Sequence, residues 1–281
     1  MATTPLRDME CPDRILVPTN EAGLLAAIEA VAPHRQCVNI RKSILSIQHK
    51  LNVAMYQAAL VHRLNPNHYA LFGEFPDPTL RDIKFSDISY KICAYSMGNI
   101  DEYRLALAFF IETFAATIFS LLDVSGNLIN QLYMLNIKED DVSFHTALLQ
   151  LQRQGRIASN DDIFRLLCSY SLSSRETNYA STTPLRDITW LKPIKEIRNR
   201  TTHRPITDVC DFITRGDVHS THSQEDPQRE FLLSQNVYPE HPYKKLRDFT
   251  KEVFEGIEEF VEDLYFYLKE AVLRSSSLPI Y

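Results

Sequence analysis

Apolar residues recur at steps of three and four along much of this chain, which is the spacing of one face of an α-helix. The period is clearest over residues 246–273 and recurs over residues 43–64, after which the sequence Asn-Pro-Asn ends the helix. Both segments are therefore predicted to be amphipathic helices that bury one side. The stripe of the later helix contains Leu246, Phe249, Val253, Ile257, Phe260, Val261, Leu264 and Leu268.

Caps and prolines predict where the other helices begin and end. Thr19 and Asn20 are candidate caps for a first helix, which Pro33 ends. Because an interior proline removes a hydrogen bond, we expect a kink or a restart at Pro193. A cap signal, Asn-Asp-Asp, precedes a further helix. These helices cover residues 21–31, about 87–136 as one helix or a broken pair, 141–153, 162–172 and about 187–204.

The organisation along the chain is simple. Residues 65–86 and 205–240 carry several prolines and many polar residues, and they are predicted to be loops with little regular structure. No shift in composition marks a domain boundary. The predicted fold is therefore a single all-α domain over residues 1–281, a helical bundle with loop insertions.

One apolar stretch raises the question of a membrane. Residues 105–122 are 18 residues long, which is the lower limit for a spanning helix, and Glu112 lies near their centre. A carboxylate is costly in the middle of a bilayer, and the stretch continues into polar sequence rather than into basic flanks. We therefore expect the central, buried helix of a soluble bundle and no membrane.

Composition and motifs narrow the function classes. Only seven glycines occur, which disfavours folds rich in hairpins or phosphate-binding loops. The five cysteines are odd in number and form no CxxC pair, so neither a disulfide framework nor a zinc module is indicated. The GxSxG, GxxxxGK and HExxH motifs do not occur. With no apolar segment of the secretory type at the N-terminus, a cytoplasmic protein without a cofactor is expected.

A basic cluster stands near the end of the helix predicted over 187–204, in a chain whose formal net charge is −6. Such a cluster makes a local field that attracts a phosphate backbone even on an acidic protein. His203 adds an imidazole that exchanges protons near neutral pH, and the following Arg204-Pro205 sequence predicts that it lies in the last helical turn. The cations are Lys192, Lys195, Arg198, Arg200 and Arg204, against the single acid Glu196.

Arg198 and His203 are five residues apart, which corresponds to about 140° around a helix axis. The two side chains therefore do not share one face of a regular helix. If both act on one phosphate, either the helix end unwinds or a second copy of the chain supplies one of the pair.

These residues resemble a known motif. Arg198 and Asn199, then three residues and His203, at a helix end in an all-helical chain, are similar to the Rx4-6H motif of the HEPN superfamily (higher eukaryotes and prokaryotes nucleotide-binding domains). The resemblance implies a HEPN-like helical bundle that dimerises so that two motifs face each other. It also implies that Arg198 binds the scissile phosphate, that His203 is the acid or base, and that Asn199 shapes the site. Pro205 departs from the branch of the family that has a tyrosine at this position.

The function expected from this resemblance is a metal-independent endoribonuclease that cleaves RNA by attack of the 2′-OH, acting as a toxin or as a defence or stress effector. Lys195, Arg200 and Arg204 would then bind the substrate. A homodimer is expected, together with a partner protein that neutralises the nuclease. The alternative is a non-catalytic HEPN-like module that binds nucleic acid or a partner protein. A structural explanation also stays open, in which the Arg/Asn/His set caps carbonyls or binds neighbouring carboxylates and is inert.

Other candidate residues have weaker signals. Glu112 either orients Arg198 or His203, or pairs structurally with a buried cation. His219 and His222 have metal-ligand spacing but fall in a predicted loop, and a metal shared by His62 and His68 is disfavoured. One side of the C-terminal helix is predicted to be a solvated acidic face. Its members are Glu255, Glu258, Glu259, Glu262 and Asp263.

Overall fold

The computed structural model describes seven ranges of the chain, and every structural statement below refers to them. Within these ranges the fold is all-helical apart from one very short strand pair, so the predicted all-α class is confirmed. The described ranges are 15–63, 100–158, 160–171, 184–203, 213–214, 231–232 and 246–274.

Seven α-helices are found in these ranges, and the strand pair is antiparallel, with Ile213 opposite Leu232 and Thr214 opposite Phe231. A single 3-10 turn, Glu139–Asp141, precedes the fourth helix. The helices are α1 (Glu21–Val31), α2 (His34–Arg63), α3 (Ile100–Tyr133), α4 (Phe144–Arg153), α5 (Asp162–Ser169), α6 (Leu191–His203) and α7 (Leu246–Arg274). The strands are β1 (Ile213–Thr214) and β2 (Phe231–Leu232).

Helix α2 begins nine residues before its predicted start at position 43, so that prediction was wrong at its N-terminal end. The carbonyl oxygen of Pro33 accepts hydrogen bonds from the backbone N–H groups of Gln36 and Cys37, which starts the helix directly after the proline. The first turns are largely exposed and polar, and Ile40 is their first buried residue. Because apolar spacing was the signal used, these turns were missed.

Helix α6 begins at Leu191 rather than near Asp187, and Pro193 is its third residue. The first four N–H groups of a helix have no partner inside it, so a proline at this position removes no helical hydrogen bond. A helix thus starts beside the proline, as one of the two predicted outcomes has it, but residues 187–190 are not helical, so it restarts no earlier helix. At α5, the side chain of Asp161 accepts from the N–H of Ile163 and provides the predicted cap.

Two predicted features fall largely or wholly outside the described residues. The loop over 65–86 lies entirely outside them, as does the start of the helix expected from residue 87. The described part of that helix, α3, is continuous from Ile100 to Tyr133. Of the loop over 205–240, only the four residues of β1 and β2 are described.

Contacts divide the chain into two compact units. Unit 1 comprises Met1–Arg14, Ala54–Ala116 and Lys192–Phe254, and unit 2 comprises Ile15–Val53, Thr117–Leu191 and Glu255–Tyr281. A single domain over residues 1–281 stays a prediction. The described core of unit 1 includes Ala54, Ala58, Phe110, Ile111, Phe114, Ile194, Ile197, Phe249 and Val253. That of unit 2 includes Leu24, Ile28, Ile44, Ile47, Leu121, Leu128, Leu148, Leu166, Phe260 and Tyr265.

An aromatic cluster in unit 2 holds the chain just before α6 against α7. The ring of Tyr170 lies 4.5 Å from that of Phe260 and 6.0 Å from that of Trp190, measured between centroids. The hydroxyl of Tyr170 donates to the carbonyl oxygen of Gly256 at 2.9 Å. A Cβ atom on Gly256 would lie 2.5 Å from Trp190 Nε1, so only glycine allows the indole to pack this closely.

A tight connection joins α3 to α4, also in unit 2. A Cβ on Gly126 would lie 2.8 Å from backbone atoms of Phe144, so the two helices meet backbone to backbone at this point. Asp123 Oδ1 accepts from the N–H of Phe144, and Ser143 forms a capping box with Thr146. These contacts anchor the start of α4 on α3.

By length and composition alone, one segment of the described chain could cross a membrane, Phe109–Tyr133, and 56% of its apolar window is buried inside the structure. The core helix of a soluble protein passes the same test, so the segment is weak support for a membrane span. The absence of a membrane and the cytoplasmic location stay predictions.

Candidate functional site at the end of helix α6

Helix α6 separates its apolar residues from its charged ones. Its buried residues are Leu191, Pro193, Ile194 and Ile197, whereas Lys192, Glu196 and Arg198 are exposed, and Lys195 and Asn199 are half-buried. The apolar side fixes the helix, and the charged side remains accessible. Arg198 is therefore exposed on a helix whose other side is packed into the core.

The helix continues without interruption through His203, its last residue. Positions 198 and 203 are therefore about 140° apart around the axis, as the sequence predicted for a regular helix. Positions 199 and 203 are four residues apart and share a face. The side chains of Arg200 and His203 and the whole of Arg204 lie outside the described part of the chain.

Glu112 in α3 belongs to unit 1, as does the α6 segment from Lys192 onward. Its side chain is buried, with 8% of the residue exposed, and Oε1 has no hydrogen-bond partner among the residues that the structure describes. Burial raises the pKa of this carboxyl above its ordinary value of 4.5. Buried polar atoms are rarely left unpaired, so Glu112 calls for an explanation, and both of its predicted roles stay predictions.

Gln57 in α2, which is also in unit 1, has a second oxygen of this kind. Its Oε1 is buried and has no hydrogen-bond partner. Sequence reasoning missed this residue because a glutamine between apolar helix positions carries no distinctive signal. The described part of unit 1 therefore holds two buried acceptor atoms that a donor could satisfy.

The prediction of a solvated acidic face on α7 was wrong for several of its members. Arg186 forms ion pairs with Glu259 and, at 2.6 Å, with Asp263. Glu262 accepts from the backbone N–H of Thr19 at 2.6 Å and from that of Asn20 at 3.3 Å. These acids therefore attach two distant segments of unit 2 to α7.

The pKa values on this face follow from its crowding. Burial, and then Glu262 and Glu255, raise the pKa of Glu258. The pKa of Asp263 is raised chiefly by burial, against the lowering effect of Arg186. Sequence reasoning missed Arg186, because its partners follow it by more than seventy residues.

The α1 cap also differs from its prediction. Asn20 occupies the N-cap position, but its side chain makes no capping hydrogen bond to α1. Its Nδ2 instead donates to Oε2 of Glu262 at 3.3 Å. The Glu262 carboxylate therefore holds Thr19 and Asn20, which precede α1, and the predicted side-chain cap is not formed.

Among the described residues, no group of three or more His, Cys, Asp or Glu side chains is placed to hold a metal ion. The pair His219 and His222 and residue His68 lie outside the described ranges, as does the side chain of His62. The metal sites considered from the sequence are therefore untested.

No family model, curated protein or solved structure matches this chain.

Proposed function

We propose that the protein is a HEPN-like endoribonuclease that cleaves RNA without a metal ion. The observation that supports this proposal most directly is the arrangement of α6, which exposes Arg198 beside Asn199 and reaches His203 at its last residue. A guanidinium binds phosphate oxygens through several donors, and an imidazole at a helix C-terminus is favoured in its protonated form. Both groups suit phosphate-ester chemistry.

In the proposed reaction, the 2′-OH of RNA loses its proton to a base and its oxygen attacks the adjacent phosphorus. The bond from phosphorus to the 5′-oxygen breaks, and that oxygen receives a proton, which leaves a 2′,3′-cyclic phosphate and a 5′-hydroxyl. His203 serves as the acid or base. Arg198 stabilises the charge that develops on the phosphoryl oxygens. Lys195, Arg200 and Arg204 hold neighbouring phosphates.

The active form in this proposal is a homodimer. Because the helix does not unwind before His203, positions 198 and 203 of one α6 diverge. A two-fold pairing allows Arg198 of one protomer to meet His203 of its partner in one cleft. Glu112 is the candidate to orient one of these groups.

The first experiment incubates the purified chain with mixed RNA in the presence of a chelator. Cleavage that yields cyclic phosphate ends supports the proposal, provided that His203→Ala and Arg198→Ala each abolish it. Glu196→Gln is the matched control, because Glu196 is exposed on the same helix and opposes phosphate binding. A folded protein that cleaves no RNA would favour the non-catalytic binding module instead.

A second experiment tests the shared site by mixing the inactive Arg198→Ala and His203→Ala variants. A heterodimer still unites one intact arginine with one intact histidine, so activity should partly return. If each variant stays inactive in the mixture while heterodimers form, the site is not shared between protomers.

The third part of the proposal is that the ribonuclease activity is restrained in the cell, since an uncontrolled ribonuclease damages its own cell. We expect expression to slow growth, and His203→Ala to remove the effect. Toxicity unchanged by that substitution would show that the motif is not responsible. A neutralising protein would then have no role at this site.

A further inference from the structure

The last turns of α7 expose two apolar side chains, although Tyr267 and Lys269 contact the ring of Phe266 and the stem of Lys269 lies beside Gly23 of α1. Phe266 is 42% exposed and Leu273 is 64% exposed, and their spacing of seven places them on one face. Lys269 and Glu270 lie between them on the same face, both half-buried. On the opposite side of the helix, Leu264, Leu268 and Val272 are buried. We call these four residues, 266, 269, 270 and 273, the terminal face.

The order of residues on the terminal face is apolar, cation, anion, apolar. If a second copy of α7 lies antiparallel, with the two-fold axis between positions 269 and 270, Phe266 meets Leu273 of the other copy. Lys269 then meets Glu270, and each contact occurs twice. The face is therefore complementary to itself in both hydrophobicity and charge.

A parallel arrangement loses this complementarity, because it sets lysine against lysine and glutamate against glutamate. The antiparallel arrangement also separates the other acids of α7. Glu262 lies between seven and eight residues from the axis, so at a rise of 1.5 Å per residue the two copies of Glu262 are about 22 Å apart along the helices. Glu255 and Glu259 lie farther still.

Contacts within the chain leave the terminal face suited to this pairing. Lys269 Nζ lies 5.4 Å from the centroid of the Phe266 ring, so the cation and the ring already form one continuous surface. Arg274 lies 3.4 Å from Glu270 on the side toward the C-terminus, where it adds to the positive charge facing that carboxylate. Neither contact covers Leu273.

We propose that the terminal face binds a second copy of this chain as an antiparallel α7–α7 dimer. Burial of the Phe266 and Leu273 pairs drives the association, and the Lys269 and Glu270 pairs set its direction. The proposal does not depend on the ribonuclease function, because none of the four residues belongs to the α6 site.

The test uses charge reversal on the full chain, with mass measured by light scattering and sedimentation over a range of concentrations. In Lys269→Glu, both intersubunit contacts become Glu against Glu, and in Glu270→Lys both become Lys against Lys. Each variant alone should dimerise about tenfold more weakly than the unmodified chain. An equimolar mixture should regain the dimer, since every contact in the heterodimer pairs Glu with Lys.

Three controls make the result specific. Lys138→Glu reverses a charge on an exposed residue outside the terminal face and should leave the dissociation constant unchanged. Leu273→Glu should abolish the α7–α7 contact, so that any dimer left is the one proposed at α6, and circular dichroism should show that each variant keeps its helices. A chain that is monomeric at all concentrations would overturn the proposal. So would a dimer that responds equally to Lys138→Glu, or single reversals that the mixture does not rescue.

Discussion

The acids of α7 and the buried glutamates of α1 and α3 carry the same functional group in opposite surroundings. On α7, Glu262 receives two backbone N–H groups, and Asp263 pairs with Arg186. Glu21 and Glu112 are more deeply buried, yet each keeps one oxygen without a hydrogen-bond partner. In both of the buried glutamates, burial raises the pKa.

This difference shows that the number of charges on a helix face does not tell which of them are structural. The α7 acids were predicted to be solvated because they form a long hydrophilic stripe. Half-burial and long-range partners instead give several of them defined roles. A buried carboxylate that lacks a hydrogen-bond partner lowers the stability of the fold. Both buried glutamates therefore reduce stability unless their charge has a function. Substitutions can separate the two groups.

The largest effect is expected from Gly256→Ala, which should lower the free energy of unfolding by about 3 kcal/mol. The new methyl group would overlap the Trp190 ring and push away the segment that carries Arg186, so the α7 ion pairs weaken with it. Urea unfolding measures the loss. Gly23→Ala is the matched control, because its nearest neighbour is the flexible Lys269 side chain at 3.2 Å. Equal effects in both helices would contradict the role of Trp190.

Arg186→Ala should lower the free energy of unfolding by about 1 kcal/mol, because the two α7 carboxylates that pair with Arg186 then lie close together without a cation. A double-mutant cycle with Asp263→Asn isolates the pair, whose side chains are 28% and 26% exposed. We expect the double variant to be more stable than the sum of the single losses predicts. Strictly additive losses would mean that the ion pair contributes nothing.

Glu112→Gln should instead stabilise the protein by up to about 1 kcal/mol at neutral pH, since it removes a buried charge and keeps the shape. The effect depends on pH. A folded-state pKa raised above 4.5 means that the contribution of Glu112 to stability is fully present below pH 4.5 and is lost as pH rises through the folded pKa. The advantage of the variant should therefore be small in acid and grow toward neutral pH. A pH-independent difference in thermal unfolding would contradict this.

The same variant tests a role in activity. If Glu112→Gln lowers RNA cleavage while it raises stability, a role of Glu112 in the proposed site would explain why a buried carboxylate occupies this position. Glu21→Gln is the comparison, because burial raises the pKa of Glu21 as well, and Glu21 belongs to unit 2 whereas the α6 residues from Lys192 onward belong to unit 1. Equal loss of cleavage in both variants would speak against a specific role for Glu112.

The smallest effect is expected from Glu262→Gln, about 0.5 kcal/mol, because the amide keeps one acceptor oxygen but loses the charge. Amide hydrogen exchange at Thr19 and Asn20 is the sensitive measurement, and both should exchange faster. Glu139→Gln, at an exposed position in the 3-10 turn, provides the control. Unchanged protection at Thr19 would mean that Glu262 does not hold this segment.

Local patterns predicted much of the fold. The helix over 246–273 occupies Leu246–Arg274, and the predicted Asn-Asp-Asp cap signal contains the N-cap of α5, because apolar spacing and short-range hydrogen bonds depend on neighbouring residues. The polar start of α2 and the partners of Arg186 and Glu262 were missed. These features depend on which distant segments come into contact. The residues next to a hydrophilic residue in the sequence do not indicate its partner.

In the candidate site, too, some features follow from the sequence and others do not. The position of Arg198 on a helix, and its angle to position 203, follow from sequence spacing, and the structure adds that the helix remains regular to its end. The orphaned oxygens of Glu112 and Gln57 could not be predicted, because burial without a partner is a property of the packed core.

The contact between Thr19 and Glu262 also bears on the order in which the chain folds during synthesis. The two residues are separated by 243 positions, so Glu262 is synthesised long after the segment before α1 that it holds. The α3–α4 connection, by contrast, closes over 21 residues between Asp123 and Phe144. Short loops close at a smaller entropic cost and earlier in time. On the ribosome, this particular contact can therefore form only after α7 has emerged.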